Sequence, residues 1–167
     1  MRAPRYEEED ERGADPVELV RAHALGKARS VTAAAGDRPV LGVDTIVFLD
    51  GRVFGKPQDA EQATEMLEAL GGETHEVVSG LCLSTPAWEV VEHDTTRVTF
   101  RELTPRDLAT YVASGEWDGR AGGYAIQGLG AALVARIEGD YLNVVGLPAA
   151  LLVRLLADRF PATYGFG

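Results

Sequence analysis

Cysteine is almost missing from this chain. Cys82 is the only one, so no disulfide can form within it, and a reducing cytoplasm is the expected compartment. Long apolar runs are missing too. The longest fall far short of the ~20 residues that a membrane-spanning helix needs, so no membrane partner is expected. The N-terminal stretch MRAPRYEEEDERGADP is acidic and has no apolar segment, which predicts no signal peptide. Positive charge is scarce: 16 Lys and Arg stand against 26 Asp and Glu, a formal net charge of −10. A nonspecific nucleic-acid binder needs a basic face, and this balance argues against one. One small anionic ligand in a locally basic pocket stays open. The chain has no P-loop, no zinc-ligand spacing and no G-x-S-x-G elbow. His23, His75 and His93 are scattered and suggest no catalytic set.

What is present suffices for one folded domain. Apolar residues make up 46% of 167, enough for a core in a chain of single-domain length. Asp15 to Glu18, DPVE, reads as a helix start with an Asp cap and Pro at the first helical position. That helix is predicted to run to about Ala35. Val20, Ala24, Lys27 and Val31 share its inward stripe. Val40 to Leu49 reads as a buried strand, Asp50-Gly51 as a hairpin turn, and Arg52 to Gly55 as the return strand. Asp59 caps the next helix, which Gly71-Gly72 ends. Two strands follow, about His75 to Ser84 and Trp88 to Phe100. TPRD at Thr104 opens a helix that closes near Gly115. The stretch GYAIQGLGAALVARIEGDYLNVVGLP reads as two or three strands punctuated by glycine, and Pro148 starts a last helix to about Phe160. The pattern predicts an α/β fold, a mixed twisted sheet flanked by helices.

Asp44 is the residue that this pattern does not explain. A carboxylate inside VLGVDTIVFL is costly unless it is paired, hydrogen-bonded or metal-bound. Neighbouring backbone N–H groups could satisfy it structurally, or it could face a ligand at a strand end. Lys27 on the inward stripe reads most simply as a lysine snorkelling from the stripe's edge. Lys56 sits in GKP, where Gly55 permits close backbone approach and Pro57 stiffens the turn; an exposed loop lysine is the commoner case. Glu7, Glu8, Glu9 and Asp10 form an acidic run whose simplest reading is solvation. Gln127 in YAIQGLGA offers amide donors and an acceptor that suit a base edge, or simply a turn.

Taken together, GVDTIVFLDGRVFGKPQDAEQATEMLEALGGETHEVVSG, GEWDGRAGGYAIQGLGA and IEGDYLNVVGLP resemble the Maf family of nucleotide pyrophosphatases, over nearly the whole chain from about Pro4. The resemblance implies a sheet flanked by helices, two lobes around a cleft, and a cytoplasmic homodimer using Mg²⁺ or Mn²⁺. It implies hydrolysis of a nucleoside triphosphate between the α- and β-phosphates, giving a monophosphate and pyrophosphate. Asp44 matches the aspartate of the family's Gly-Ala-Asp-Thr motif, its proton acceptor, with Val43 in place of the alanine. Thr45 and Gln127 match positions tied to substrate choice in the branch acting on dTTP and UTP. Lys27 matches the lysine of a Lys-Ala pair, and Lys56 that of Gly-Lys-Pro. Glu8 matches an acidic residue preceding the first complete helix, and Arg120 keeps the charge of a family lysine. Asp44 and Glu8 would hold the divalent metal, with Lys27 and Lys56 as further catalytic residues at the phosphates and Arg120 as a substrate contact.

Family members begin with a strand, a Ser-x-Arg-Arg loop and a helix. This sequence starts just after that unit, so residues 1–167 read as a single Maf-like domain without it; of a natural truncation and a start codon assigned too late, we expect the second. Two alternatives accompany the enzyme reading: a catalytically impaired nucleotide-binding protein regulating cell division, and a pyrophosphatase of the sister branch that takes methylated GTP.

Overall fold

A computed structural model describes residues 15–32 and 35–163. Glu8 and its acidic neighbours lie outside the described residues. Helix α1 spans Pro16–Thr32. The Asp15 carboxylate accepts from the backbone N–H groups of Val17 and Glu18, at 2.8 and 3.3 Å, as the DPVE start predicts. Strand β1, Val40–Leu49, turns through Asp50-Gly51 into the short β2, Arg52–Phe54. Helix α2, Ala60–Leu70, is capped by Asp59, whose carboxylate accepts from Gln62 N at 2.8 Å. Strands β3, Thr74–Ser84, and β4, Glu89–Phe100, form a long hairpin. Helix α3, Pro105–Ser114, starts with a full capping box between Thr104 and Asp107 and ends at a left-handed Gly115.

The chain then departs from the two or three strands that its apolar stretches suggest. It makes two 3-10 turns, Ala121–Gly123 and Leu129–Leu133, one strand, β5 (Val134–Glu138), and a five-residue helix, α4 (Tyr141–Val145). Gly122 and Gly123 take φ of +67° and +70°, which breaks any strand there. Asp140 caps α4 by accepting from Leu142 N. An α4 shorter than two turns leaves no helical period to read. Helix α5, Ala149–Arg159, closes the described fold.

The five strands form one sheet in the order β2-β1-β3-β4-β5. All the pairings among the described residues are antiparallel. The helix-flanked sheet is the expected α/β architecture, with antiparallel pairing throughout the described strands where the sequence pattern predicts parallel pairs as well. Alternate residues point to opposite faces. On one face α1 packs over Ile46, Val78, Val40 and Cys82. On the other, α2 and α3 bury Val47, Phe54, Leu67, Val77, Val98 and Phe100. The far end of that second face is covered by α5, through Leu151 and Leu155 on Leu81 and Leu83.

Two features of this packing position the site. The first is the closeness of α1. A Cβ at Gly80 would run into the backbone carbonyl of Val20, and one at Gly42 into that of Ala24. Only glycine at both places lets the helix backbone rest on the strands. The second is the brevity of β2, which pairs only with residues Val47 to Leu49 of β1. Among the described residues, the preceding part of β1 is hydrogen-bonded on one side only, to β3.

Candidate active site

Asp44 lies opposite Gly80 in the β1–β3 register, so its side chain emerges on the α1 face where the helix is nearest. It is buried, and α1 supplies its partners. His23 Nδ1 is 3.1 Å from Asp44 Oδ2, and the Lys27 ammonium donates to Oδ1 at 2.5 Å. His23 and Lys27 are four residues apart, one helical turn, and so share a face. The buried aspartate is thus met by side chains, and Lys27 is turned inward onto it rather than snorkelling outward.

A cavity of about 370 Å³ opens along the half-paired part of β1 and reaches both faces of the strand. Lys27 and Asp44 line it from the α1 side, and Thr45, Lys56, Arg120 and Gln127 from the other. All the predicted site residues within the described range therefore meet at one cavity. Its charge is unlike that of the chain. Three cations, Lys27, Lys56 and Arg120, stand beside Asp44, the only carboxylate among the described lining residues, in a protein of net charge −10. A pocket with this balance concentrates anions.

The loops that carry the second-face residues are tied at their backbones. Gly122 N donates to Gly55 O at 3.0 Å, fastening the Arg120 segment to the Lys56 loop. Ala125 N donates to the Tyr111 hydroxyl at 2.9 Å and Gly128 N to Ala125 O at 3.1 Å, which bracket Gln127. The side chains of Lys56, Arg120 and Gln127 stay exposed on these fixed backbones. The Thr45 hydroxyl shares a 2.8 Å hydrogen bond with Ser79 on β3. Asn143 Nδ2 donates to Val77 O and Thr96 Oγ1, which pins α4 so that Val144, Val145 and Gly146 form the remaining wall.

Behind that wall, Tyr124 lines the cavity and shares a 2.9 Å hydrogen bond with His75 Nε2. Burial lowers the His75 pKa to about 4, and burial, aided by Tyr111, holds the Tyr124 phenol well above its ordinary range. Both groups are therefore neutral near pH 7 and form part of the packing.

Among the described residues, no group of three or more His, Cys, Asp or Glu could by itself hold a metal. One hard carboxylate at an anion pocket does fit a Mg²⁺ or Mn²⁺ ion whose other ligands are substrate phosphates and water. His23 is the site residue that the sequence did not reveal. Its signal was spacing: it stands one turn before Lys27, on the stripe that already carried that lysine. Among the described residues, no helix is long and apolar enough to cross a membrane.

Comparison with known proteins gives the family and its named relatives. The family model described as Maf-like protein matches residues 1–159. The chain is 48% identical over 141 residues to the dTTP/UTP pyrophosphatase of Bacillus cytotoxicus, covering 84% of this chain and 74% of that one. It is 49% identical over 155 residues to the dTTP/UTP pyrophosphatase of Moorella thermoacetica, covering 92% and 80%. With the protein of the same name from Deinococcus radiodurans it is 42% identical over 159 residues, covering 95% and 82%.

Proposed function

The chain belongs to the Maf-like protein family, and on that premise we propose that it hydrolyses dTTP and UTP to the nucleoside monophosphate and pyrophosphate. The observation that carries this reading is the cation-rich cavity of an acidic protein, with a buried carboxylate at its edge. The names of the relatives supply the nucleotides.

In this reading Lys27, Lys56 and Arg120 receive the triphosphate. Their attraction is strongest where the cavity excludes water, and it grows as charge gathers on the leaving pyrophosphate. Water attacks, and the bond between the α- and β-phosphates breaks. Asp44 accepts the proton that water loses. Asp44 would also hold a Mg²⁺ or Mn²⁺ ion, with Glu8 as the candidate second carboxylate; when bound, that ion neutralises phosphate charge and lowers the pKa of water. Thr45 and Gln127 sort the base. The Gln127 amide can pair with the N3–H and an adjacent carbonyl of uracil or thymine at once. A cytoplasmic location and a homodimer belong to the same proposal, from the family resemblance.

A pyrophosphate-release assay on a nucleotide panel tests it. The expected result is metal-dependent release, fastest with dTTP and UTP. Preference for methylated GTP would move the protein to the sister branch. Tight nucleotide binding without release would favour the regulatory binding protein.

A further inference from the structure

His23 is buried, touches Asp44 and is not among the residues that line the cavity. We propose that it is a positioning residue for Asp44, holding the carboxylate from behind so that the oxygen shared with Lys27 is presented to substrate. This rests on the dTTP/UTP reading above, because it assigns His23 a part in that same reaction.

The geometry carries the argument. A carboxylate held at one oxygen can still swing about its own bond. Asp44 is held at both, Oδ2 by His23 and Oδ1 by Lys27, from two positions of one rigid helix. The two holds differ in permanence. Lys27 lines the cavity, and its long chain is drawn toward any phosphate that enters. His23 lies behind Asp44, with a short side chain packed under α1, whose backbone rests on Gly42 and Gly80. When substrate takes a share of Lys27, His23 keeps the carboxylate aimed. An ionised carboxylate has no proton to donate, so the hold requires the proton on His23 Nδ1.

Two measurements decide it. The first is kinetic. His23→Leu is expected to lower kcat roughly 10–100-fold, the usual effect of losing a partner that orients a site ligand. KM should scarcely change, because the histidine touches no substrate. His23→Asn carries an amide N–H near the position of Nδ1 and should recover most of the loss. Parental kcat in His23→Leu overturns the proposal, as does a loss that only follows the folded fraction and that Asn does not repair. The second is ¹⁵N NMR of the ring. The parent should show the Nδ1–H form of His23, and Asp44→Ala should lose that preference. A ring protonated on Nε2 alone overturns the proposal whatever the turnover. A parent that releases no pyrophosphate from dTTP or UTP, yet shows the Nδ1–H form, would instead overturn the functional reading and leave the hold standing.

Discussion

The two faces of the sheet hold the charged side chains of the cavity by different means. On the α1 face, Asp44 and His23 are buried and Lys27 is half-buried, and the three are bonded to one another where the helix backbone rests on two glycines. On the opposite face the charged and amide groups at the cavity are exposed side chains on tethered loops: Lys56, Arg120 and Gln127 stand on segments fixed by Gly122 N to Gly55 O and by Ala125 N to the Tyr111 hydroxyl. The cavity joins the two because β2 leaves that part of β1 uncovered. The difference suits a division of labour. A group that moves a proton gains from rigidity and a dry setting, whereas groups that meet a varying base and a hydrated phosphate chain gain from side-chain freedom on a fixed base. Substitutions that unseat α1 should therefore disturb chemistry and packing together, and those of the exposed loop side chains should disturb chemistry alone.

The largest effect is expected at Asp44. Asp44→Asn keeps the shape and can still accept from His23, but it removes the base. Turnover should fall by roughly 10²–10⁴-fold. The protein should stay folded, as circular dichroism would report. Metal-dependent hydrolysis near the parental rate would contradict the assignment.

Next comes the seat of α1. Gly80→Ala forces a methyl group against the Val20 carbonyl, where no flexible side chain can move aside. Overpacking of this kind costs about 1–3 kcal/mol, and the displaced helix carries His23 and Lys27 away from Asp44. Thermal stability and kcat should fall together. A stable Gly80→Ala protein with full activity would mean that the close seat of α1 is incidental.

Lys56→Ala tests the other face. The side chain is exposed on a loop that the backbone already fixes. A charge-assisted phosphate contact is worth about 1.5–3 kcal/mol, so kcat/KM should drop roughly 10–100-fold. The melting temperature should not move. Arg120→Ala should behave alike, and a melting temperature that collapsed in either would make these residues structural.

Much of this was legible in the sequence because local rules decide it. Asp59 and Thr104 announce their helices by capping, and Asp50-Gly51 announces its hairpin. Asp44 stood out because a lone carboxylate in an apolar strand demands an explanation. The contact with His23 was less legible, since it depends on how near α1 approaches. That distance is set by Gly42 and Gly80, two missing side chains on different strands that only the β1–β3 register places together. The segment from Gly122 to Gly146 misled for another reason. Its apolar residues serve loop walls and one short helix, so neither a two-residue nor a 3.6-residue period runs long enough to be read.

The smallest effect sharpens the comparison with a single residue type, for each face buries one histidine. His23 faces a carboxylate. His75 sits among rings, with Phe100 and Tyr124 centroids at 5.0 and 5.5 Å, and burial pushes its pKa down from 6.5 to about 4. The folded state thus resists protonating His75 while the unfolded chain accepts the proton. Between about pH 6.5 and 4 the unfolded state binds more protons, so stability is complete above this window and is lost as the pH falls through it. The first pH unit below 6.5 should cost about 1 kcal/mol from this residue. His75→Phe keeps an aromatic ring against Phe100 and removes the titration. It should be less stable at neutral pH, because the Tyr124 hydroxyl loses its partner, but its unfolding free energy should decline less steeply from pH 6.5 to 5. Urea denaturation of both proteins across that range measures the difference in slope. Parallel slopes would mean that His75 takes up its proton in the folded state as readily as in the unfolded one, and that the ring-lined pocket is wetter than its burial implies.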